Sequence, residues 1–195
     1  MTGTEGKSKP SPRGRRSPVL VSACLLGVRC RYDGGHSLCR AVAEFAGRAA
    51  VIPFCPEQLG GLPTPRPPAN LFGGDGRDVL RGVARLRNTD GRDVTAAFEK
   101  GAREALKLAR LTGARTAIMK DRSPSCGLRT PYCDRPEGHG IGVTAALFES
   151  NGIRVYESGT EDPFPPEGFA DGREAGVPEK KGQNKGGLPV PRREA

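Results

Sequence analysis

Three short apolar runs of the kind found in buried β-strands are each followed by a loop that carries a cysteine. The runs occupy residues 19–21, 51–52 and 116–119, and the cysteines are Cys24, Cys55 and Cys126. Parallel strands of an open α/β sheet place their carboxyl ends at one edge, where the ligand crevice lies. If the runs are parallel strands, the three thiols converge there. Three thiols without a nearby fourth indicate a soft-metal or iron–sulfur site with one open coordination position, which is typical of a catalyst.

Helical patterns separate these runs along the chain. Helices are predicted over 38–47, 94–112 and 142–150, and a further strand over 153–156. Ser37 and Asp93 are candidate N-caps, and Gly47 and Gly113 are candidate stops. Alternating strands and helices build mostly parallel sheets with right-handed crossovers. The sequence therefore predicts a single α/β domain with a mostly parallel sheet flanked by helices.

Two internal segments have weaker patterns. Residues 55–68 are rich in proline, which disfavours the interior of helices and sheets, so this segment is predicted to be a loop. Residues 78–88 show partial alternation, which indicates a short extended excursion.

The two ends of the chain differ in composition from its middle. Residues 1–17 and 159–195 lack hydrophobic periodicity and are rich in Gly, Pro and charged residues, so both are predicted to be disordered tails, the first of them basic. The folded domain is expected over 18–158. A length of 195 residues leaves room for one domain.

The net charge and the length of the apolar runs limit the kinds of partner that we expect. About +6 of the net charge of +9 falls in the predicted domain, which allows a tRNA or nucleotide contact but equally fits a solvated basic face. No apolar run is long enough to span a membrane, and no secretion signal is visible at the N-terminus. We therefore expect a cytoplasmic protein whose six cysteines are reduced. The absence of a C-x-x-C pair weakens a zinc-ribbon interpretation.

The other three cysteines have different expectations. Cys39 lies in the first predicted helix and is expected only to pack. Cys133, in a loop rich in Gly and Pro, has no assigned role. Cys30 follows Cys24 closely and is either a spare ligand or a thiol that lies beside the ligands.

Five segments carry a resemblance to a known family. They read VSACLLGVRCRYDG (21–34), CPEQLGGLPTPRPP (55–68), GRDVTAAFEKGAREAL (91–106), KDRSPSCG (120–127) and GVTAALFESNGIRVYES (142–158). Over residues 18–158 the chain resembles the thiouracil desulfurase family. The resemblance implies a 4Fe–4S cluster that three cysteines hold, with the fourth iron left for substrate. The implied ligands are Cys24, Cys55 and Cys126, the same three that end the apolar runs.

The resemblance also implies an activity, the removal of sulfur from thiolated pyrimidines of the thiouracil type. The open iron would polarise the thiocarbonyl group as a Lewis acid, and water would replace sulfur by oxygen without redox change. Glu57 and Ser123 are the expected catalytic residues, which would handle protons. For Glu57 the alternative is a surface carboxylate, and for Ser123 it is a cap on the turn before Pro124.

Three further residues are candidates for substrate binding. Arg31 and Asp33 would orient the base, although a structural salt bridge accounts for them equally well. Arg66 either contacts substrate or holds the proline-rich loop. The sequence departs from the family between the last cysteine motif and the final helix, in the loop 128–140, which we expect to wall the pocket and to influence substrate choice.

Two other functions remain open at this point. The chain could be a non-enzymatic iron–sulfur sensor that binds nucleic acid through its basic surface, although it shows no helix-turn-helix and no stacking aromatics. It could also be a structural zinc domain with cysteine ligands. The physiological substrate, whether free base, nucleoside or tRNA, is not determined by the sequence.

Overall fold

The computed structural model describes residues 17–159 of the chain. In chain order the strands are β1 (Val19–Ser22), β2 (Val51–Phe54), β3 (Ala69–Phe72), β4 (Arg85–Asn88), β5 (Thr116–Lys120) and β6 (Arg154–Ser158). The helices are α1 (Arg40–Ala46), α2 (Pro56–Leu59), α3 (Gly76–Leu80), α4 (Thr95–Thr112) and α5 (Val143–Ser150). A 3-10 turn, Ala23–Leu26, follows β1 directly.

The main sheet has the strand order β2-β1-β5-β6, and every neighbouring pair is parallel. Strands β3 and β4 form a separate antiparallel hairpin. This architecture confirms the predicted single α/β domain with a mostly parallel sheet flanked by helices. Strand β2 follows β1 in sequence and lies on one side of it, whereas β5 and β6 lie on its other side. The direction in which strands are added therefore reverses between β1 and β5. In open α/β sheets a crevice forms outside the carboxyl ends of the strands at such a point.

The strands of this sheet are buried from both sides because successive side chains point to opposite faces. On one face, Leu20 and Met119 belong to the largest core cluster, together with residues of α4 and α5 such as Phe148. On the other face, Val21 packs with Val42 of α1. The two clusters fix the register that brings the strand ends together.

Helix α4 confirms its predicted stripe. Phe98, Ala102 and Ala105 are buried along one side. The helix ends at Gly113, whose φ of 71° is left-handed and whose N–H bonds the last carbonyls. The core is thereby closed over the sheet.

Several predicted boundaries were wrong. The proline-rich segment contains the helical turn α2, because a proline at the first helical position loses no hydrogen bond. Residues 76–80 are helical because a capping box begins them. The Asp75 side chain accepts from the backbone N–H of Asp78, and the Asp78 side chain accepts from the backbone N–H of Asp75. Helix α1 begins at Arg40 with Cys39 as its N-cap, whereas Ser37 accepts from Arg31 Nη1 at 2.6 Å.

Helix α2 touches α4 backbone to backbone. A Cβ atom added to Gly101 of α4 would lie 1.9 Å from the carbonyl oxygen of Pro56, and one added to Gly60 would lie 2.1 Å from that of Ala97. Only glycine permits this approach. The position of α2 is therefore set by the main chain of α4.

None of the helices within residues 17–159 has the length and apolar content needed to cross a membrane. Segments 1–16 and 160–195, which contain almost all of the two predicted tails, lie outside the described residues.

Candidate functional site

A cavity of about 580 Å³ opens at the carboxyl edge of the sheet. Its lining includes four thiols and the two predicted catalytic side chains: Cys24, Cys30, Cys55, Cys126, Glu57 and Ser123. Cys24 lies in the 3-10 turn after β1, Cys55 is the N-cap of α2 after β2, and Cys126 lies in the loop after β5. The three thiols predicted to converge therefore share one cavity, and a fourth, Cys30, joins them.

The loop of Cys126 is held by the first turn of α5. The carbonyl oxygens of Pro124 and Ser125 accept from the N–H groups of Val143 and Thr144 at 3.0 and 2.8 Å. The Ser125 hydroxyl also lies 2.9 Å from that of Thr144. These bonds use N–H groups that a helix start leaves without an internal partner. The loop and the helix are thus one hydrogen-bonded structure.

The pKa values of three cavity thiols, those of Cys30, Cys55 and Cys126, are raised, which favours their protonated forms. Burial raises the pKa of Cys126 to about 12. The hydrogen bond with Cys24 is the main cause that raises the pKa of Cys30 to about 11. The pKa of Cys55 is raised further, mainly by its hydrogen bond with Cys30 and by burial. Such buried sulfurs become stable thiolates when a soft cation neutralises them, so this set of donors fits an iron–sulfur group.

The spacing of these donors bears on the kind of metal group. Within residues 17–159 no three His, Cys, Asp or Glu side chains are arranged to hold a single metal ion. In an iron–sulfur cluster each thiolate binds a different iron, so its ligands need not meet at one point.

Glu57 is paired with a buried arginine. Arg66 Nε donates to Glu57 Oε2 at 2.7 Å, and the two side chains are 5 % and 16 % exposed. The guanidinium also donates to the carbonyl oxygens of Pro63 and Cys30, both at 3.1 Å. Arg66 therefore holds the proline-rich loop and orients Glu57 while lining the cavity.

Ser123 caps its own turn and lines the cavity at the same time. Its Oγ accepts from the N–H groups of Ser125 and Cys126 at 3.2 and 3.1 Å. The oxygen acts as the acceptor in both bonds, and the Ser123 side chain also hydrogen-bonds to Cys126, which opposes the effect of burial on the pKa of that thiol. The preceding residue, Arg122, has a φ of 50°, an unusual value for a residue other than glycine. The turn alternative for Ser123 is therefore met without excluding a chemical role.

Arg31 and Asp33 form a salt bridge of 3.1 Å near the mouth of the cavity. Arg31 lines the cavity, and its guanidinium lies 5.5 Å from the centre of the Tyr32 ring. Asp33 accepts from the N–H of Gly35 and is not among the residues that line the cavity.

Sequence reasoning missed part of the wall. Asn70 and Thr89 of the β3–β4 hairpin line the cavity, as do Lys120 and Tyr132. Lys120 belongs to the segment KDRSPSCG that resembles the family. For the β3–β4 hairpin, by contrast, no local sequence pattern predicts a position at this edge of the sheet. Tyr132 belongs to the divergent loop, and its carbonyl oxygen accepts from the N–H of Leu71 at 2.9 Å. The expectation that this loop walls the pocket is confirmed at Tyr132.

The two remaining cysteines lie outside the cavity lining. Cys39 is half-buried beside the α1 cluster and accepts from the Ser158 hydroxyl at 3.7 Å. The thiol of Cys133 donates to the Thr130 carbonyl oxygen at 3.5 Å, and burial raises its pKa. Both thiols therefore make hydrogen bonds away from the cavity, and neither is placed to be a ligand there.

Known proteins share this sequence and fold. The chain is 41 % identical over 140 residues to the uncharacterized protein YbbK of Bacillus subtilis (strain 168). The aligned region covers 70 % of this chain and 93 % of YbbK. A solved structure, the 4Fe–4S-dependent thiouracil desulfidase TudS, is 40 % identical and superposes with a TM-score of 0.61 over 72 % of this chain and 90 % of its own. The 2-thiouracil desulfurase family model matches residues 19–159. With its thiol-lined cavity at the sheet edge, the chain belongs to the 2-thiouracil desulfurase family.

Proposed function

We propose that this protein is a 4Fe–4S-dependent desulfidase that replaces the thiocarbonyl sulfur of thiolated pyrimidines by oxygen. Membership in the 2-thiouracil desulfurase family and similarity to the solved thiouracil desulfidase support the reaction class. We assign the activity to residues 18–158 and to the cytoplasm. The observation that carries the proposal is the single cavity lined by Cys24, Cys55 and Cys126 together with Glu57 and Ser123.

In this proposal Cys24, Cys55 and Cys126 hold the cluster. When bound, the cluster supplies a soft Lewis acid for the thiocarbonyl sulfur. The protein's own part is to position a water molecule, to move protons and to exclude other reactions. The net change is one water consumed and one hydrogen sulfide released.

Glu57 is the proposed general base. Its Oε2 is occupied by Arg66 Nε at 2.7 Å, which fixes the carboxylate plane and leaves the second oxygen, Oε1, outside this contact. Oε1 accepts the proton of the water that attacks the thiocarbonyl carbon. A carboxylate held by a buried guanidinium stays oriented without searching other rotamers, which lowers the entropic cost of the reactive arrangement.

Ser123 is the proposed proton donor to the departing sulfur, and its Oγ regains a proton from the hydroxyl group that the attacking water leaves on the ring carbon. The proton held by Glu57 also goes to the sulfur, so that hydrogen sulfide is released. The two N–H groups that bond its Oγ stabilise developing negative charge on the oxygen, so the hydroxyl gives up its hydrogen more readily. Arg31 is proposed to orient the pyrimidine at the mouth of the cavity, and Asp33 to hold the Arg31 guanidinium in place through their salt bridge. Arg66 acts on substrate through Glu57.

The decisive test is anaerobic reconstitution of the full chain with iron and sulfide. We expect about four irons per protein and release of sulfide from 2-thiouracil, with uracil as the product. The Cys39→Ser variant is the matched control, since Cys39 is outside the cavity lining, and it should behave as the parent protein. A protein that carries its cluster but releases no sulfide from thiouracil, thiouridine or thiolated tRNA would disprove the activity.

A further inference from the structure

Cys30 is the thiol in the cavity that the proposed cluster ligation leaves unused. Its residue is 1 % exposed and packs in one buried cluster with Cys24, and Cys55 packs against the same cluster. It lines the same cavity as those two ligands. A free thiol placed in contact with two cluster ligands is more than a filler of the apolar core.

The backbone holds Cys30 in this position. Its N–H donates to the carbonyl oxygen of Val28 at 2.9 Å, and its own carbonyl oxygen accepts from Arg66 Nη2 at 3.1 Å. The Cys55 thiol lies 3.7 Å from that same carbonyl oxygen. The segment therefore cannot swing away from the cavity without breaking the contact with a buried guanidinium.

The chemistry of a thiol beside thiolates is directional. A thiol that binds no metal keeps its proton at neutral pH, whereas sulfur on iron is deprotonated and accepts hydrogen bonds. Hydrogen bonds to cluster sulfurs withdraw electron density from the sulfur and raise the reduction potential. A cluster at higher potential is harder to oxidise, and oxidation is the first step in its loss in air.

We propose that Cys30 is a positioning residue that donates its one S–H hydrogen bond to the thiolate of Cys24 and so protects the cluster from oxidation. This inference rests on the proposed function, because it presumes the cluster. It assigns a role to a fourth thiol without adding a fourth ligand, so the open iron stays open.

The test compares Cys30→Ala, which removes the donor, with Cys30→Ser, which replaces it by a hydroxyl donor. Cys39→Ala is the matched control, since it removes a half-buried thiol outside the cavity lining. All proteins are reconstituted anaerobically, and we measure iron and sulfide content, the reduction potential by titration followed with electron paramagnetic resonance, and cluster absorbance after exposure to air.

We expect full iron content in all of them. The potential should shift to more negative values in Cys30→Ala, and its absorbance should decay severalfold faster in air. Cys30→Ser should recover part of both properties, and Cys39→Ala should match the parent protein. Loss of iron in both Cys30 variants would make Cys30 a ligand and overturn the inference. An unchanged potential and decay rate in Cys30→Ala would overturn it as well. A parent protein that takes up no cluster would instead overturn the proposed function along with it.

Discussion

Arg66 donates from Nε to Oε2 of Glu57 across 2.7 Å, and this contact joins the proline-rich loop to the helical turn α2, which Cys55 caps. Other atoms of the same guanidinium bond the carbonyl oxygens of Pro63 and Cys30. One planar group thereby fixes the carboxylate and the main chain beside two thiols. Lysine has a single nitrogen and cannot match this set of bonds.

The first prediction follows from this pair. Glu57→Gln keeps size and leaves every thiol in place, so it should retain a full cluster while turnover falls by roughly 10²–10⁴-fold, the usual contribution of general acid–base catalysis. Arg66→Lys should lower both turnover and stability, because the loop loses its anchor. The checks are iron content, sulfide release and urea unfolding. Near-normal turnover of Glu57→Gln would remove Glu57 from the mechanism.

The second prediction separates the two roles of Ser123. Ser123→Ala leaves two N–H groups without their acceptor, which costs about 1–3 kcal/mol, and it should also lower turnover by roughly 10²–10⁴-fold. Ser125→Ala is the matched control. It loses a buried hydrogen bond to Thr144 and should lose similar stability with nearly normal turnover. Equal losses of turnover in both variants would reduce Ser123 to a structural cap.

The third prediction divides the cysteines. Replacing Cys24, Cys55 or Cys126 by serine should abolish retention of the cluster, because a hydroxyl is a poor ligand for iron in place of a thiolate. Cys133→Ser should leave the iron content intact, since Cys133 is not among the residues that line the cavity. Iron and acid-labile sulfide per protein are the measurements. Full iron in any of the first three variants would strike that residue from the ligands.

The fourth prediction concerns the contact between α2 and α4. Gly101→Ala places a methyl group 1.9 Å from the Pro56 carbonyl oxygen, so α2 must move away and take Cys55 and Glu57 with it. We expect a stability loss of about 3 kcal/mol and reduced iron content.

Gly91→Ala is the comparison for this fourth prediction. Gly91 has open space around its Cβ position and a φ of 78°, so the variant should lose only about 1–2 kcal/mol through backbone strain and keep its iron. Intact iron content in a destabilised Gly101→Ala protein would show that α2 does not control the site.

The fifth prediction concerns acid stability. The N–H of Asp75 is the main cause that lowers the pKa of Asp78, and Arg81 and Arg135 contribute further. The folded state therefore favours the charged carboxylate. Its stabilisation is complete above the pKa of the unfolded chain, about 3.9, and disappears as pH falls through the lower folded value.

Asp78→Asn should accordingly be less stable than the parent protein at pH 7 and lose less stability between about pH 5 and pH 2. Urea unfolding at several pH values is the measurement. Glu104→Gln alters an exposed side chain on α4 and should change little at pH 7. Parallel stability curves for the parent protein and Asp78→Asn would contradict the assignment.

The sequence predicted the sheet edge well because its signals are local. Apolar runs followed by cysteines such as Cys24 and Cys126 need only the rule of parallel strands to bring their thiols together. The start of α4 was close to its prediction because Asp93 accepts from the N–H of Thr95, two residues further on. The position of the cysteines after the strands and the start of α4 both depend on residues close together in the sequence.

The errors arose where a structure depends on a contact between residues far apart in the sequence. They also arose where a residue type is unfavourable inside a helix but tolerated at its first position. The prolines of residues 55–68 predict a loop, but Pro56 occupies the first helical position, where a proline is tolerated. The hairpin that brings Asn70 to the cavity depends on pairing that no short motif encodes. Arg66 had two open interpretations, and only the position of Glu57 relative to its guanidinium shows which bonds it makes.

The bonds between the Cys126 loop and α5 have a consequence for how the protein opens. A loop that is tied to the rest of a fold only by its two ends can detach in brief local openings. Here the amide hydrogens of Val143 and Thr144 are shared with that loop, and the helix that carries them has Phe148 fully buried in the largest core cluster. Releasing Cys126 therefore exposes both of these amide hydrogens to solvent, so their exchange rates should report each opening of the loop even while the helix stays folded.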